Sequence, residues 1–149
     1  MTSAHRLWSL INAVRYVIDE NIPGDLVECG VWRGGSVMGM ARALEERGVA
    51  DRQLWLYDTF QGMTAPTEAD VEAVTGTTAA QMLAQTSVAD GNNVWCVAGR
   101  EDVEANLRTT GYPIDQFRFV EGDVARTLHS TTPQSISLLR LDTDWYEST

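Results

Sequence analysis

The sequence predicts an α/β fold built on a parallel sheet. Three observations predict it. Short apolar runs alternate with segments of helical period. Glycine, proline or aspartate punctuates the joins between them. Strand, helix and strand follow one another within about 35 residues, which is the span of a right-handed βαβ unit.

The elements follow in order. Leu7, Leu10, Ile11, Val14, Val17 and Ile18 recur at helical spacing, so an amphipathic helix covers Ser3 to Glu20. Residues 1–22 thus form an N-terminal helical segment, closed by Pro23-Gly24. Asp25 to Val31 reads as the first strand. Gly34-Gly35-Ser36 is a turn with Ser36 as a candidate N-cap. Val37 to Arg47 is helical and Gly48 stops it. Gln53 to Tyr57 is the second strand, closed by Asp58. Thr64 to Asn93 is a long connection with a helical middle, Thr78 to Gln85; such a segment after a strand end forms a lid or a substrate wall. Val94 to Val97 reads as a short strand, and Glu101 to Thr110 as a helix stopped by Gly111 and Pro113. Phe117 to Glu121 is the third core strand, Val124 to His129 a short helix, and Ile136 to Leu141 the fourth strand.

Composition narrows the function classes. The 149 residues suit a single domain, and 44% hydrophobic content is too high for disorder. Twenty-one carboxylates face eleven basic residues, all arginine, for a net charge of −10. That balance excludes a nucleic-acid backbone as partner and disfavours an anionic membrane surface. No apolar run is long enough to cross a bilayer, and Asn12 and Arg15 interrupt the only stretch resembling a signal sequence. Cys29 and Cys96 lie far apart without metal-ligand spacing, so a reducing, cytoplasmic setting is expected.

Ligands of doubly wound sheets bind at the carboxyl ends of the strands. The first strand runs into Glu28-Cys-Gly30-Val-Trp32-Arg-Gly34-Gly35-Ser36. Its glycines permit close backbone approach, and the following helix N-terminus offers N–H groups to an anion. Trp32 stands where the dinucleotide fingerprint needs another glycine. Glu-x-Gly-x-x-x-Gly is instead the spacing seen in S-adenosylmethionine-dependent methyltransferases; a glycine turn kept for packing is the plain alternative. Trp32 is the tryptophan placed to touch a ligand. Asp58, closing the second strand, can accept both hydroxyls of a ribose, or serve as a turn residue. Gly122-Asp123 after the third strand can read an adenine edge, or form an ordinary turn. The fourth strand ends in Asp142-Thr-Asp144-Trp-Tyr-Glu147. Carboxylates there suit a hard cation or a general base, with Asp142 the leading candidate and Glu147 better read as an acidic helix start. His5 and His129 read as surface residues, and Cys29 as a small core residue.

Together, residues 24–36, Asp58 to Met63, Glu101 to Asn106 and Leu139 to Thr149 resemble the TylF/MycF group. These are macrocin-type sugar O-methyltransferases of macrolide and aminocoumarin biosynthesis. The resemblance implies a class I methyltransferase (Rossmann-like) doubly wound sheet. It implies S-adenosylmethionine as donor, Mg2+ as a metal, and a small hydroxylated natural-product or sugar-like acceptor. By position, Glu28, Gly30 and Ser36 would hold the methionine end of the donor, with Trp32 and Gly34 in the same turn. Asp58 would hold the ribose. Asp142 would be metal ligand and base. The chain departs from the family at Asp123-Val124, where an aromatic pair is common, which leaves the adenine contact open. It also stops just after the fourth strand of a sheet that has seven in the family, so the domain over residues 1–149 is expected to be C-terminally incomplete. A fourth strand apolar on both faces would then expose an edge, either pairing with a second copy in a homodimer or covered by neighbouring loops. A non-catalytic adenosyl-binding domain and a nicotinamide-dependent oxidoreductase are the alternatives; the glycine spacing counts against the latter.

Overall fold

The structure, a computed structural model, describes residues 2–85 and 95–148. Five helices and four strands alternate among the described residues: α1 (Ala4–Asp19), β1 (Asp25–Cys29), α2 (Gly35–Glu46), β2 (Leu54–Asp58), α3 (Ala79–Ala84), α4 (Arg100–Arg108), β3 (Phe117–Glu121), α5 (Val124–Thr127) and β4 (Ile136–Leu141). Single 3-10 turns cover Ile114–Gln116 and Tyr146–Ser148. The strands form one parallel sheet in the order β3-β2-β1-β4. The order reverses between β1 and β4, and that switch point places a crevice at the carboxyl ends of the strands.

One face of the sheet carries most of the core. Leu26, Leu54, Leu56 and Phe117 pack there against Val14 of α1, Val37, Met40 and Leu44 of α2, and Val103 and Leu107 of α4. The amphipathic stripe of α1 explains its place: Leu10, Val14 and Val17 are buried, while Trp8 and Tyr16 face solvent. The other face is thinner. Val27, Cys29 and Tyr57 pack there with Val124 of α5.

β4 has the apolar composition of an interior strand but is an edge strand here. Leu139 and Leu141 pair in register with Val27 and Cys29, so they share the thin face. They are 52% and 45% exposed, against 1% and 0% for their partners. The expected covering of this strand by neighbouring loops is therefore not present among the described residues. No helix among them is long and apolar enough to cross a membrane.

Several expected boundaries shift. Ser3 is the cap of α1 rather than its first residue, its side chain accepting from the Arg6 N–H. β1 ends at Cys29, not Val31, because Gly30 turns the chain at φ +82°. Ser36 is not the N-cap of α2; Gly34 is, in the left-handed conformation, and Ser36 lies buried in the first turn. α3 begins with a reciprocal capping box between Thr78 and Gln81. Residues 95–97 are not a strand, and Val94 lies outside the described residues, as do positions 86–93 of the long connection.

Candidate functional site

Backbone hydrogen bonds lace the ends of three strands together. Gly30 N–H donates to the Tyr57 carbonyl (2.9 Å) and Asp142 N–H to the Cys29 carbonyl (2.8 Å). A Cβ at residue 30 would overlap the Asp142 carbonyl, so only glycine fits between β1 and β4. Gly34 serves differently. The space where its Cβ would stand faces Val103 and Leu107 of α4, and Gly34 does not line the cavity beside the turn. No side chain caps α2, which leaves its first N–H groups without a local acceptor from a cap.

Asp58 organises this turn. Its Oδ2 accepts from Val31 N–H (2.6 Å) and Trp32 N–H (3.0 Å), and its Oδ1 accepts from Phe60 N–H (2.8 Å). Trp32 and Phe60 both adopt positive φ, and their N–H groups on one carboxylate stabilise those conformations. A carboxylate offers about four acceptor positions, so three N–H donors leave room for about one more. That falls short of the two ribose hydroxyls expected of it.

Glu28 is held by charge instead. It is 1% exposed and pairs in register with Arg140 of β4, whose Nη1 donates to its Oε1. Arg140 Nη2 donates to Asp142 Oδ2 (2.9 Å) and Thr2 Oγ1 (3.3 Å). Oε2 of Glu28 is buried without a hydrogen-bond partner. Burial pushes the Glu28 carboxyl up to about 8; Arg140 opposes the rise, Asp142 adds to it, and the nearby Ser36 hydroxyl opposes it more weakly. Ser36 itself lies 3.4 Å from Thr2 Oγ1.

These groups surround a cavity of about 520 Å³ at the carboxyl ends of the strands. Glu28, Gly30, Trp32, Ser36, Asp58, Asp123 and Asp142 all line it. Asp123 has a second task as N-cap of α5, its Oδ1 accepting from Ala125 N–H (3.0 Å). The Arg33 guanidinium lies over the Trp32 ring at 5.4 Å. Opposite the glycine turn stand Gly62, Met63, Thr64, Cys96 and Trp145. Trp145 Nε1 donates to the Thr64 carbonyl (3.0 Å) and Tyr146 N–H to Asp70 (2.7 Å), so the start of the long connection is tied to the residues after β4. His5 and His129 are exposed, and Cys29 is fully buried with burial pushing its thiol up to about 11, which makes it inert.

Sequence reasoning missed Arg140, Thr2 and Arg33. A lone arginine in the apolar run Ile136 to Leu141 was the visible signal for the first. Among the described residues no group of three His, Cys, Asp or Glu side chains is placed to hold a metal. Arg140 already engages Asp142. These residues do not amount to the oxygen set that Mg2+ takes.

The whole chain, residues 1–149, matches the family model described as macrocin-O-methyltransferase (TylF). It is 37% identical to the 8-demethyl-8-(2,3-dimethoxy-alpha-L-rhamnosyl)-tetracenomycin-C 4'-O-methyltransferase of Streptomyces olivaceus, over 100% of this chain and 53% of that protein. It is 34% identical to the demethyldecarbamoylnovobiocin O-methyltransferase of Streptomyces niveus, again over 100% and 53%. The chain thus spans about half the length of the curated relatives it matches. Among solved structures, the O-methyltransferase NovP superposes with a TM-score of 0.74 at 35% identity, covering 96% of this chain and 55% of NovP. The calicheamicin methyltransferase CalS11, at 23% identity and a TM-score of 0.61 over 98% of this chain and 57% of CalS11, shares the fold.

Proposed function

The chain belongs to the macrocin O-methyltransferase (TylF) family, and from that premise we propose that it is the donor-binding part of an S-adenosylmethionine-dependent O-methyltransferase. Its acceptor would be a hydroxyl of a small natural-product or sugar-like molecule, the class named in its relatives. One observation carries the reading: the buried, unpartnered Glu28 oxygen in the strand-end cavity, one turn away from the uncapped N-terminus of α2. A zwitterion fits that pair, with its ammonium on Glu28 and its carboxylate on the helix N-terminus. Gly30 lines the cavity between them, and its missing Cβ lets the Asp142 backbone close against β1.

When bound, S-adenosylmethionine supplies a methyl group on a sulfonium that is its own leaving group. The chain's residues mainly bind and align. Ser36 would support the methionine end, Trp32 and Asp123 flank the adenosyl part, and Asp58 accepts one ribose hydroxyl. Asp142 faces the cavity beside Gly30 and would take the proton of the acceptor hydroxyl. Alignment of two reactants in this way can supply on the order of 7–11 kcal/mol. No step is assigned to magnesium, since the residues present do not form its site. A cytoplasmic setting goes with the two free cysteines.

Calorimetry with S-adenosylhomocysteine and with NAD tests the reading. Binding of the first alone is expected; binding of NAD alone would overturn it. Methyl transfer to a hydroxylated acceptor separates an active domain from a binding module.

A further inference from the structure

We propose that Arg140 is a positioning residue for the amino-acid end of the donor, aiming the free oxygen of Glu28 into the cavity; this rests on the donor-binding reading above. Arg140 makes no contact with the donor in that reading and does not line the main cavity. Its place is behind the site. It stands directly across from Glu28 in the β1–β4 register, with a side chain 14% exposed.

The geometry sets the role. Arg140 binds only Oε1 of Glu28 and turns its other nitrogen to Asp142 and Thr2. A planar guanidinium fixes both directions at once, which a lysine ammonium cannot do. The bond to Oε1 fixes one oxygen of the carboxyl, and Oε2 is left buried without a partner on a residue that lines the cavity. The one guanidinium is shared between two carboxyl groups, so none of its N–H groups is given to Oε2. A buried unmatched acceptor is unfavourable until a donor reaches it. A ligand ammonium at Oε2 completes the arrangement by supplying the missing hydrogen bond together with a positive charge that favours the ionised carboxylate. A ligand without that ammonium gains nothing from it.

The test compares two ligands by calorimetry. S-Adenosylhomocysteine carries the amino-acid end; 5′-methylthioadenosine keeps the adenosine and sulfur but lacks it. The wild-type chain is expected to bind the first more tightly. Arg140→Met should weaken S-adenosylhomocysteine about tenfold or more and leave methylthioadenosine unchanged. Arg140→Gln, which keeps size and polarity, should show the same selective loss should the Met variant not fold. Arg140→Lys should retain more S-adenosylhomocysteine affinity than Gln. Equal losses for both ligands, or no loss for either, would overturn the positioning role and leave the donor-binding reading standing. A wild-type chain that binds neither ligand would overturn both.

Discussion

Glu28 and Asp58 end neighbouring parallel strands, yet the fold holds them in opposite ways. Glu28 is fixed by a side chain from β4 and keeps one oxygen idle. Asp58 is fixed by three backbone N–H groups from two turns and is nearly saturated. Glu28 is buried, and burial raises its carboxyl to about 8. Asp58 is half-buried, and both its oxygens are engaged by backbone donors. The difference teaches that an acidic residue at a strand end has two uses. One leaves an oxygen open to a partner; the other builds the loop beside the cavity.

The largest expected effect follows from Glu28. Glu28→Gln keeps the shape but cannot ionise, and at about pH 8 and above S-adenosylhomocysteine affinity should fall on the order of tenfold to a hundredfold. Stability should move the other way. The folded carboxyl titrates near 8 against 4.5 when exposed. Its contribution is therefore present below about pH 4.5 and lost as pH rises through about 8. The Gln variant should be the more stable protein at pH 8.5 in thermal unfolding, with the gap shrinking as pH falls to 4.5. Wild-type affinity for S-adenosylhomocysteine should rise as pH approaches 8, while that of the variant stays flat. A variant that is less stable at every pH would mean that Glu28 belongs to the scaffold, like Asp58.

Asp58→Ala should behave as the counterpart. It strands the N–H groups of Val31, Trp32 and Phe60, so stability should drop by about 1–3 kcal/mol. S-Adenosylhomocysteine should bind about tenfold more weakly, because the turn loosens and the proposed ribose contact would be lost. Methylthioadenosine should suffer as much, since both ligands carry the ribose. A loss confined to S-adenosylhomocysteine would place Asp58 at the amino-acid end and erase the contrast with Glu28.

One side of this contrast is readable in the sequence. Acidic residues at strand ends, the glycine turn and the strand order implied by the family all point to Glu28, Asp58 and Asp142 around one crevice, and the cavity brings them together. β3 and β4 also fall where periodicity puts them, because each run is bounded by polar residues. What the residues do there is not readable. Hydrogen bonds from backbone N–H groups to Asp58 leave no trace in residue type. Val31 reads as strand because it is apolar, but its N–H serves Asp58 rather than a ladder. Ser36 reads as a cap because Ser is a good one; Gly34 takes that place through its positive φ. Arg140 and Glu28 are each odd in an apolar strand, and only the β1–β4 register joins residues 112 positions apart.

The smallest effect is expected at Leu139, next to Arg140 on β4. Successive side chains of a strand point to opposite faces. Arg140 faces the side of Leu26 and Leu138, whereas Leu139 shares the thin face with Val27. Leu139 is 52% exposed, so Leu139→Lys removes little burial and should shift stability by no more than about 0.5 kcal/mol. Its amide geometry is unchanged, so Arg140 should still reach Glu28, and S-adenosylhomocysteine affinity should stay within about twofold. A lysine on an apolar edge strand discourages pairing with another strand. Light scattering should therefore show less self-association than for the wild-type chain, if β4 pairs with a second copy as its open apolar edge leads one to expect. Reduced affinity in this variant would show that Arg140 depends on the packing of the whole strand. The hold on Glu28 would then be as much a matter of backbone architecture as the hold on Asp58.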